Sequence, residues 1–431
     1  MSYPSEVPTV LSGYDFGNSA RSCPGFEFSG NQYLFVRQGG GGTPTGDLGV
    51  HAMKSTDAGL TWTEKDAAHH PDLVAGGTLL APYTVMRDGA TVYLIDATGT
   101  VGFPGTPTGL QWWSYNLTTD LWSARSSTAS IVPGIMQANE LMLDLKKRDT
   151  NDYVLFYSGP REGALARVYY ATFNGTTFGS AVKLPNQTSA THLRYGVDCS
   201  IDSTKTTHFY YFDDNTSPGP GYHLYHVGMD SGGSFGTESV ITPAASLIDI
   251  PGQFSNSIVF SAGIVEELAI VALTMDSGGF LFNKIFSASA ALSPVSWTPQ
   301  TITANLVITD AGVLVIGKDA ALVEFNGTLF CGWTEVGSRF RDLQGGLLLW
   351  SSASTGDLST WTPMQEIFDP NRPFWAPVQI GAYAMTGGVA FVGSSVSQDG
   401  LNSDAEVLQF LKLSTSAAVT SANIYRTGTR P

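Results

Sequence analysis

Few side chains in this sequence occupy positions where they could do chemistry, and these lie at the start of a strand-like run or in the loop beside one. Asp47 ends the glycine-rich stretch GGGGTPTGD, and Glu140 begins the run NELMLDL. Arg194 and Asp198 begin the run in LRYGVDCSID. Carboxylates in such positions can act as general acids or bases, and arginines can bind a carboxylate through two parallel hydrogen bonds. The elements that position these groups decide which chemistry applies.

Other kinds of site are not supported by the spacing of their residues. The histidines at 69–70 and the pair His223 and His226 have no third ligand nearby in the sequence, so no metal site is predicted. The glycine-rich stretch lacks a GK[ST] signature and a following helix, which excludes a phosphate-binding loop. The three cysteines are odd in number, far apart and set in apolar runs, which predicts buried free thiols. No cofactor is expected.

Composition narrows the classes of function. The chain has 431 residues, of which only 14% are charged, and it contains 48 glycines. This is typical of a β-rich protein with many tight turns and not of a disordered chain. The formal net charge of −15 argues against a nucleic-acid ligand, because phosphate binding needs clustered lysines and arginines.

The N-terminal segment MSYPSEVPTVLSGYDF has neither the basic region nor the apolar core of a signal peptide. No uninterrupted apolar run approaches the length of a membrane span. We therefore expect no signal peptide and no membrane insertion. These expectations fit a protein that is made in the cytoplasm and is then assembled into a virion or released by lysis.

Short apolar runs recur about every sixty residues, and each belongs to a set of four strand-like segments bounded by Gly, Asn, Asp or Pro. Four-stranded units at this period predict a β-propeller. We predict one all-β domain of seven antiparallel blades, with six as the alternative count. The seventh unit lacks a clear fourth strand, and we expect PTVLSGY at 8–14 to supply it and close the ring. The predicted repeats lie near 14–74, 75–134, 135–188, 189–246, 247–305, 306–370 and 371–431.

The stretch STDAGLTW at 55–62 lies between the third and fourth strands of the first unit. Asp57 can accept backbone N–H groups within the turn, Gly59 permits a positive φ, and Trp62 is expected to pack between blades. The motif resembles the Asp-box, or BNR repeat, of the sialidase-like propeller superfamily. In that family the box is structural and lies away from the catalytic site. Its residues here are Ser55, Asp57, Gly59, Thr61 and Trp62.

The resemblance to sialidases extends along the chain and implies a site. It implies that Asp47 corresponds to the acid/base aspartate and Glu140 to the glutamate that partners the nucleophile. Arg194 and Asp198 begin the inner strand of the fourth unit, where they could line the central channel. The resemblance also implies a set of arginines that bind the substrate carboxylate: Arg21, Arg37, Arg161, Arg339 and Arg341.

The chain departs from sialidases at the nucleophile. The last inner strand begins RPFWAPVQI, with Phe374 and Trp375 where the family's tyrosine would stand. The leading prediction is therefore a non-catalytic recognition propeller, which binds a cell-surface or polymeric glycan or a protein partner such as another virion protein. One alternative is a sialidase-like glycoside hydrolase acting on an acidic sugar, with Asp47 and Glu140 as its carboxylates. The second alternative is a structural docking protein.

Overall fold

The computed structural model describes 31 strands and the turns that join many of them. Within the described residues the structure contains no helix, and none of them forms a helix able to span a membrane. The described ranges are 9–12, 14–15, 25–38, 49–71, 83–100, 106–123, 126–127, 135–136, 142–162, 165–185, 194–213, 223–241, 256–262, 265–275, 282–292, 297–301, 314–337, 347–362, 365–367, 375–397 and 406–414.

The strands follow one another along the chain in a regular order. Those before residue 190 are β1 (Thr9–Ser12), β2 (Tyr14–Asp15), β3 (Gly25–Phe28), β4 (Asn31–Gln38), β5 (Val50–Ser55), β6 (Thr63–Lys65), β7 (Tyr83–Asp88), β8 (Thr91–Thr100), β9 (Thr106–Asn116), β10 (Leu121–Trp122), β11 (Ser126–Ser127), β12 (Ile135–Met136), β13 (Met142–Asp149), β14 (Asp152–Glu162), β15 (Leu165–Phe173) and β16 (Val182–Lys183). Those after it are β17 (Arg194–Ile201), β18 (Thr207–Asp213), β19 (His223–Met229), β20 (Ser239–Val240), β21 (Asn256–Ala262), β22 (Val265–Met275), β23 (Phe282–Ala291), β24 (Thr298–Thr301), β25 (Leu314–Phe325), β26 (Thr328–Gly337), β27 (Leu347–Ser354), β28 (Gln365–Ile367), β29 (Trp375–Met385), β30 (Gly388–Ser397) and β31 (Glu406–Ser414).

These strands form seven antiparallel blades of four principal strands, which confirms the predicted propeller and the count of seven. Blades one to six are β3–β6, β7–β10, β13–β16, β17–β20, β21–β24 and β25–β28. Blade seven takes β29, β30 and β31 from the end of the chain and β1 from its beginning. Strand β1 pairs with β31 from Thr9 opposite Phe410 to Ser12 opposite Val407, so the predicted closure by the N-terminal strand is confirmed.

The second strand of each blade is apolar on both faces because each blade is packed between two others. In β18 the side chains of Phe209 and Tyr211 join a buried cluster with blade three, which includes Phe156. The alternate residues Tyr210 and Phe212 join a cluster with blade five. A strand places successive side chains on opposite faces, so two buried faces require an uninterrupted apolar run. This explains why the sequence repeats runs such as HFYYF.

Side-chain oxygens on the inner strands accept hydrogen bonds from the backbone of the next blade. We call Thr84, Asp144 and Asp198 the inter-blade acceptors; all three are buried and recur at the sixty-residue period. They hold blades two to five together by accepting hydrogen bonds from buried inner-strand amides, and the Cys199 amide also donates to Asp198 Oδ1 at 2.9 Å. The bonds run from Leu145 N to Thr84 Oγ1 at 3.1 Å, from Cys199 N to Asp144 Oδ2 at 2.9 Å, and from Ser257 N to Asp198 Oδ2.

Two of the inter-blade acceptors share their environment with a lysine. Lys146 Nζ lies 3.1 Å from Asp144 Oδ1 and 3.5 Å from Asp198 Oδ1. Burial raises the pKa of Asp198 well above its usual range. Burial acts the same way on Asp144, but the Lys146 ammonium and a hydrogen bond from Asp198 outweigh it and hold that pKa low. Of the two carboxyls, Asp198 therefore holds a proton more readily, and the Lys146 ammonium balances the charge of Asp144.

The turns between first and second strands lie on one side of the ring, which we call the hairpin face. Exposed ion pairs join neighbouring turns there, as between Lys147 and Asp88 (2.6 Å) and between Lys205 and Asp149. Such exposed pairs contribute little to stability because water screens them.

Both described cysteines lie in the core. Cys199 and Cys331 are buried free thiols, as predicted, and Cys23 lies outside the described residues.

We expect Asp144→Ala to lower the free energy of unfolding by about 2–4 kcal/mol, because it removes one of the two acceptors of the buried Cys199 amide and the nearer of the two carboxyls beside Lys146. The control Asp149→Ala removes an exposed ion pair and should leave the urea midpoint unchanged. Urea denaturation followed by tryptophan fluorescence measures both. Equal losses in the two variants would show that the inter-blade acceptors have no special role.

Candidate functional site

The side of the ring opposite the hairpin face is where second strands end and third strands begin, and we call it the loop face. Arg37 and Arg161 are the penultimate residues of β4 and β14, the second strands of blades one and three. Arg194 is the first residue of β17, the inner strand of blade four, and pairs with Asp213 at the end of β18. The structure thus places three of the six predicted ligand-binding arginines at one face.

The remaining predicted functional residues lie outside the described part of the chain, so their roles stay predictions. Asp47 and Glu140 are both among them, so the distance between these two predicted carboxylates, which would identify a glycosidase pair, is not described. These residues are Arg21, Asp47, Glu140, Arg339 and Arg341.

Buried polar residues lie next to the loop face, and the sequence interpretation did not include them in the site. In blade four, Asp213 is 1% exposed and stands opposite His223, which is 6% exposed. In blade two, Asp96 stands opposite Gln111, and both are buried. Asp96 and Asp213 each follow an apolar run near the loop-face end of a strand, as Asp96 does in VYLID. That pattern is the signal that could have identified them.

Asp198, which the sequence places beside Arg194, belongs to a different part of the structure. Its carboxyl is buried, accepts the backbone N–H of Ser257 and contacts Lys146. Its role is to join two blades, as described above.

The turn at 55–62 is closed by its own side chains. Ser55 Oγ donates to Asp57 Oδ1 at 2.7 Å and accepts from Gly59 N at 2.8 Å. Asp57 also accepts from Thr61 through the backbone N–H at 2.8 Å and the hydroxyl at 2.5 Å. Trp62 Nε1 donates to the carbonyl of Gly59 at 3.0 Å. Strand β5 begins at the loop face, so this turn lies on the hairpin face, away from the arginines.

The same turn also packs against the neighbouring blade. Trp62 meets Phe410 of β31 edge-on, with ring centroids 5.3 Å apart. Gly59 has a φ of +94°, and a Cβ added there would lie 2.0 Å from Phe410 Cε1. Glycine is therefore required twice, for the backbone conformation and for the close approach of blade seven.

We expect Gly59→Ala to lower the free energy of unfolding by about 2–4 kcal/mol, since it combines a left-handed backbone with a clash against Phe410. Gly30 is the matched control, because it has a φ of +79° and open space around it. Gly30→Ala should cost only about 1–2 kcal/mol. The difference between the two variants in urea denaturation measures the packing contribution, and identical costs would contradict this account.

Protonation of Asp57 should open the turn only in strong acid. The hydrogen bond from the Thr61 hydroxyl, followed by that from Ser55, lowers the pKa of Asp57 to about 2. A depressed folded pKa gives a stabilising contribution that is present above about pH 3.9 and is lost as the pH falls through the folded value. NMR titration of protein labelled with ¹³C-aspartate should show this low midpoint, and Thr61→Val should raise it. A wild-type midpoint in the ordinary range of aspartate would refute the role of these bonds.

Histidines group differently in space from their order in the sequence. His226 Nε2 lies 2.9 Å from His208 Nδ1, and burial lowers the pKa of both imidazoles. His70, in contrast, lies beside His51 and Glu64, and ligand atoms of the three lie within 4.8 Å of one another. The two rings are stacked face to face and Glu64 is bonded at His51 Nδ1, the side of the ring away from Nε2, so these residues do not converge on one metal ion.

Comparison with known proteins shows the fold. No family model and no curated protein matches the sequence. Two structures of a PL25 ulvan lyase, a polysaccharide lyase, match with a TM-score of 0.58 and 10% identity over 94% of each chain; one of them is bound to -[GlcA(1-4)Rha3S]-. The subtype N10 neuraminidase-like protein of A/little yellow-shouldered bat matches with a TM-score of 0.43 and 7% identity over 78% of this chain and 95% of that chain. At these identities the likeness concerns architecture alone.

Proposed function

We propose that this protein is a recognition propeller that binds an acidic glycan at its loop face without turning it over. The observation that carries the proposal is the placement of Arg37, Arg161 and Arg194 at one face of three blades. Each of the three stands at a strand end beside the loops of that face, so an acidic ligand that spans several blades could contact more than one of them. Their natural ligands are carboxylates or sulfates, which arginine binds through paired hydrogen bonds.

A sugar acid fits these arginines better than a nucleic acid does. Single cations on separate blades can each bind one acidic group of a chain of sugars. Nucleic acid instead requires a dense basic surface, which the net charge of −15 opposes. The ulvan lyase, which shares this architecture, has been seen bound to a glycan that contains GlcA, and this supports a polymeric acidic glycan as the class of ligand.

The sequence supports binding in preference to hydrolysis. The turn at 55–62 resembles the Asp-box of sialidases, but Phe374 and Trp375 stand where their tyrosine nucleophile would be. A sialidase-like hydrolase that uses Asp47 and Glu140 is the competing proposal. A virion or tail-associated location follows from composition alone and is a prediction for separate testing.

We expect the wild-type protein to bind uronic-acid or sulfated polysaccharides on a glycan array, and to bind them less tightly as salt is added. Arg161→Gln and Arg194→Gln should each weaken binding about tenfold or more, because each removes a charge-assisted pair of hydrogen bonds. Arg148→Gln is the matched control, since Arg148 lies at the hairpin face and pairs with Asp152 at 2.7 Å. Equal loss in all three variants, or no binding to any acidic glycan, would contradict the proposal.

Incubation with each bound glycan, followed by mass spectrometry, separates recognition from catalysis. The proposal expects intact glycan after incubation. Cleavage that is abolished by Glu140→Gln would establish the hydrolase in its place.

A further inference from the structure

Four polar side chains form a continuous chain of hydrogen bonds on the face of blade four that packs against blade five. It begins at Asp202, in the turn between β17 and β18, where Oδ2 lies 3.2 Å from His208 Nε2. His208 Nδ1 lies 2.9 Å from Nε2 of His226 in β19. His226 Nδ1 lies 3.3 Å from Oγ of Ser239 in β20. We call these four residues the histidine relay.

The two imidazoles of the relay meet edge to edge. Their planes differ by 22°, and their ring centroids are 5.2 Å apart. The N···N distance of 2.9 Å is much shorter than the centroid separation, so the nitrogen atoms point at each other and form a hydrogen bond of ordinary length. Gly228 stands opposite His208 in the register, so no side chain fills the space that the His226 ring crosses.

The far end of the relay contacts the neighbouring blade. Trp297 of blade five donates its indole N–H to Ser239 Oγ at 3.1 Å. The rings of Trp297 and Tyr210 pack on His226, with centroids 5.4 and 5.3 Å from that of the imidazole. Ser239 is half-buried, whereas the other three members of the relay are buried. Solvent therefore reaches the relay at its serine end, beside the contact with blade five.

Asp202 is held as an anion at the opposite end. The Thr204 N–H at 2.9 Å, the Thr204 hydroxyl at 2.7 Å and the Thr206 N–H at 2.9 Å all donate to Oδ1. Burial raises the pKa of Asp202, but the hydrogen bonds outweigh it and the net pKa is lowered. An ionised carboxylate can only accept, so the proton of its contact with His208 lies on Nε2.

Only a few ionisable groups of the described residues face the two rings. Burial lowers the pKa of both imidazoles, and that of His226 falls well below its usual range. For His208, two carboxylates act against burial. Glu238 of β20 instead accepts from Tyr211 on the other face of the blade. The groups that face the rings come from the turn before β18, from β18 and from β22: Asp202, Tyr210 and Glu266.

When both rings are uncharged, the direction of every bond in the relay is determined. His208 carries its proton at Nε2, so its Nδ1 accepts from His226 Nε2. His226 Nδ1 then has a lone pair and accepts from the Ser239 hydroxyl. The serine oxygen in turn accepts the indole N–H of Trp297. Each donor therefore meets one acceptor, from blade five to the turn.

One added proton reverses this direction without breaking a bond. A proton taken up at His226 Nδ1 lets the Nε2 proton of that ring pass to His208 Nδ1. The positive charge then lies on His208, beside the Asp202 carboxylate, and His226 donates to Ser239. A second proton cannot be accommodated, because N–H groups of both rings would face each other across 2.9 Å.

From this geometry we infer that the histidine relay is a proton-operated switch of the contact between blades four and five. It takes up one proton with the contact intact, and a second proton drives the two rings apart and breaks the contact of Ser239 with Trp297. The switch acts within the fold and does not depend on glycan binding.

The sign of the pH dependence follows from burial. In the unfolded chain the histidines titrate near pH 6.5, whereas the folded relay takes up protons only at lower pH. The unfolded state thus binds more protons below about pH 6.5, and the free energy of unfolding falls as the pH drops through that value.

Ring ¹⁵N NMR of histidine-labelled protein reads the relay directly, because it distinguishes protonated from unprotonated ring nitrogens. At about pH 8 we expect His208 and His226 to carry a proton at Nε2 only. On acidification His208 should charge first, and in the same step the His226 proton should move from Nε2 to Nδ1. The exposed His69 should titrate separately and at higher pH. The indole N–H of Trp297 should stay protected from solvent exchange through the first step and exchange freely after the second.

Urea denaturation compares the wild type with His226→Gln, which keeps an N–H toward His208 but cannot take up a proton. From about pH 7.5 to about pH 5 the urea midpoint of the wild type should fall, and that of the variant should fall less than half as far. His69→Gln is the matched control and should follow the wild type, because His69 is exposed and lies outside the relay. Near-UV circular dichroism establishes that each variant is folded, and His208→Gln replaces His226→Gln if the latter does not fold.

The inference is overturned if the two buried histidines titrate together with His69, or if the His226 proton stays on Nε2 when His208 charges. It is equally overturned if the glutamine variant loses stability as steeply as the wild type. Loss of Trp297 protection before His208 is charged, or its persistence after both rings are charged, would also contradict it.

Discussion

The hydrogen bond that crosses from one blade to the next at the inner strands is the constraint on which this structure depends. A propeller has no covalent link between neighbouring inner strands other than the long path through each blade, so side chains must join them. Asp144 and Asp198 do this with buried carboxyls, which are costly unless every oxygen is paired and the charge is balanced. The Lys146 ammonium, 3.1 Å from Asp144 and 3.5 Å from Asp198, provides that balance. The inner strands that these bonds hold in place determine where each blade presents its ends to solvent.

The ring consequently has two faces with different properties. On the hairpin face, short turns are closed by their own side chains, as at 55–62, and are joined by exposed ion pairs. On the loop face, strand ends carry Arg37, Arg161 and Arg194. Antiparallel pairing forces this division, since the end of every second strand lies beside the start of the first. The proposed glycan binding uses the loop face, while the contacts of the hairpin face stabilise the fold.

Much of the architecture could be predicted because it is local or periodic. The apolar runs follow from burial on both faces of each blade, and STDAGLTW specifies its own turn through residues within eight positions of one another. Partners across the ring could not be predicted. The sequence places Asp198 near the start of a strand, but it does not show that this carboxyl accepts a hydrogen bond from the backbone N–H of Ser257. His51, Glu64 and His70 are adjacent only because of the β5–β6 register and the turn after it, and their spacing matches no known motif. The predicted carboxylates Asp47 and Glu140 rest on family resemblance alone.

The most direct test of glycan binding at the loop face is hydrogen–deuterium exchange of the protein with and without a saturating sulfated uronic-acid polysaccharide. We expect slower exchange in peptides that contain Arg37, Arg161 and Arg194, and no change in hairpin-face peptides around 149–152 and 202–206. Protection confined to the hairpin face, or none at any concentration of polysaccharide, would contradict it.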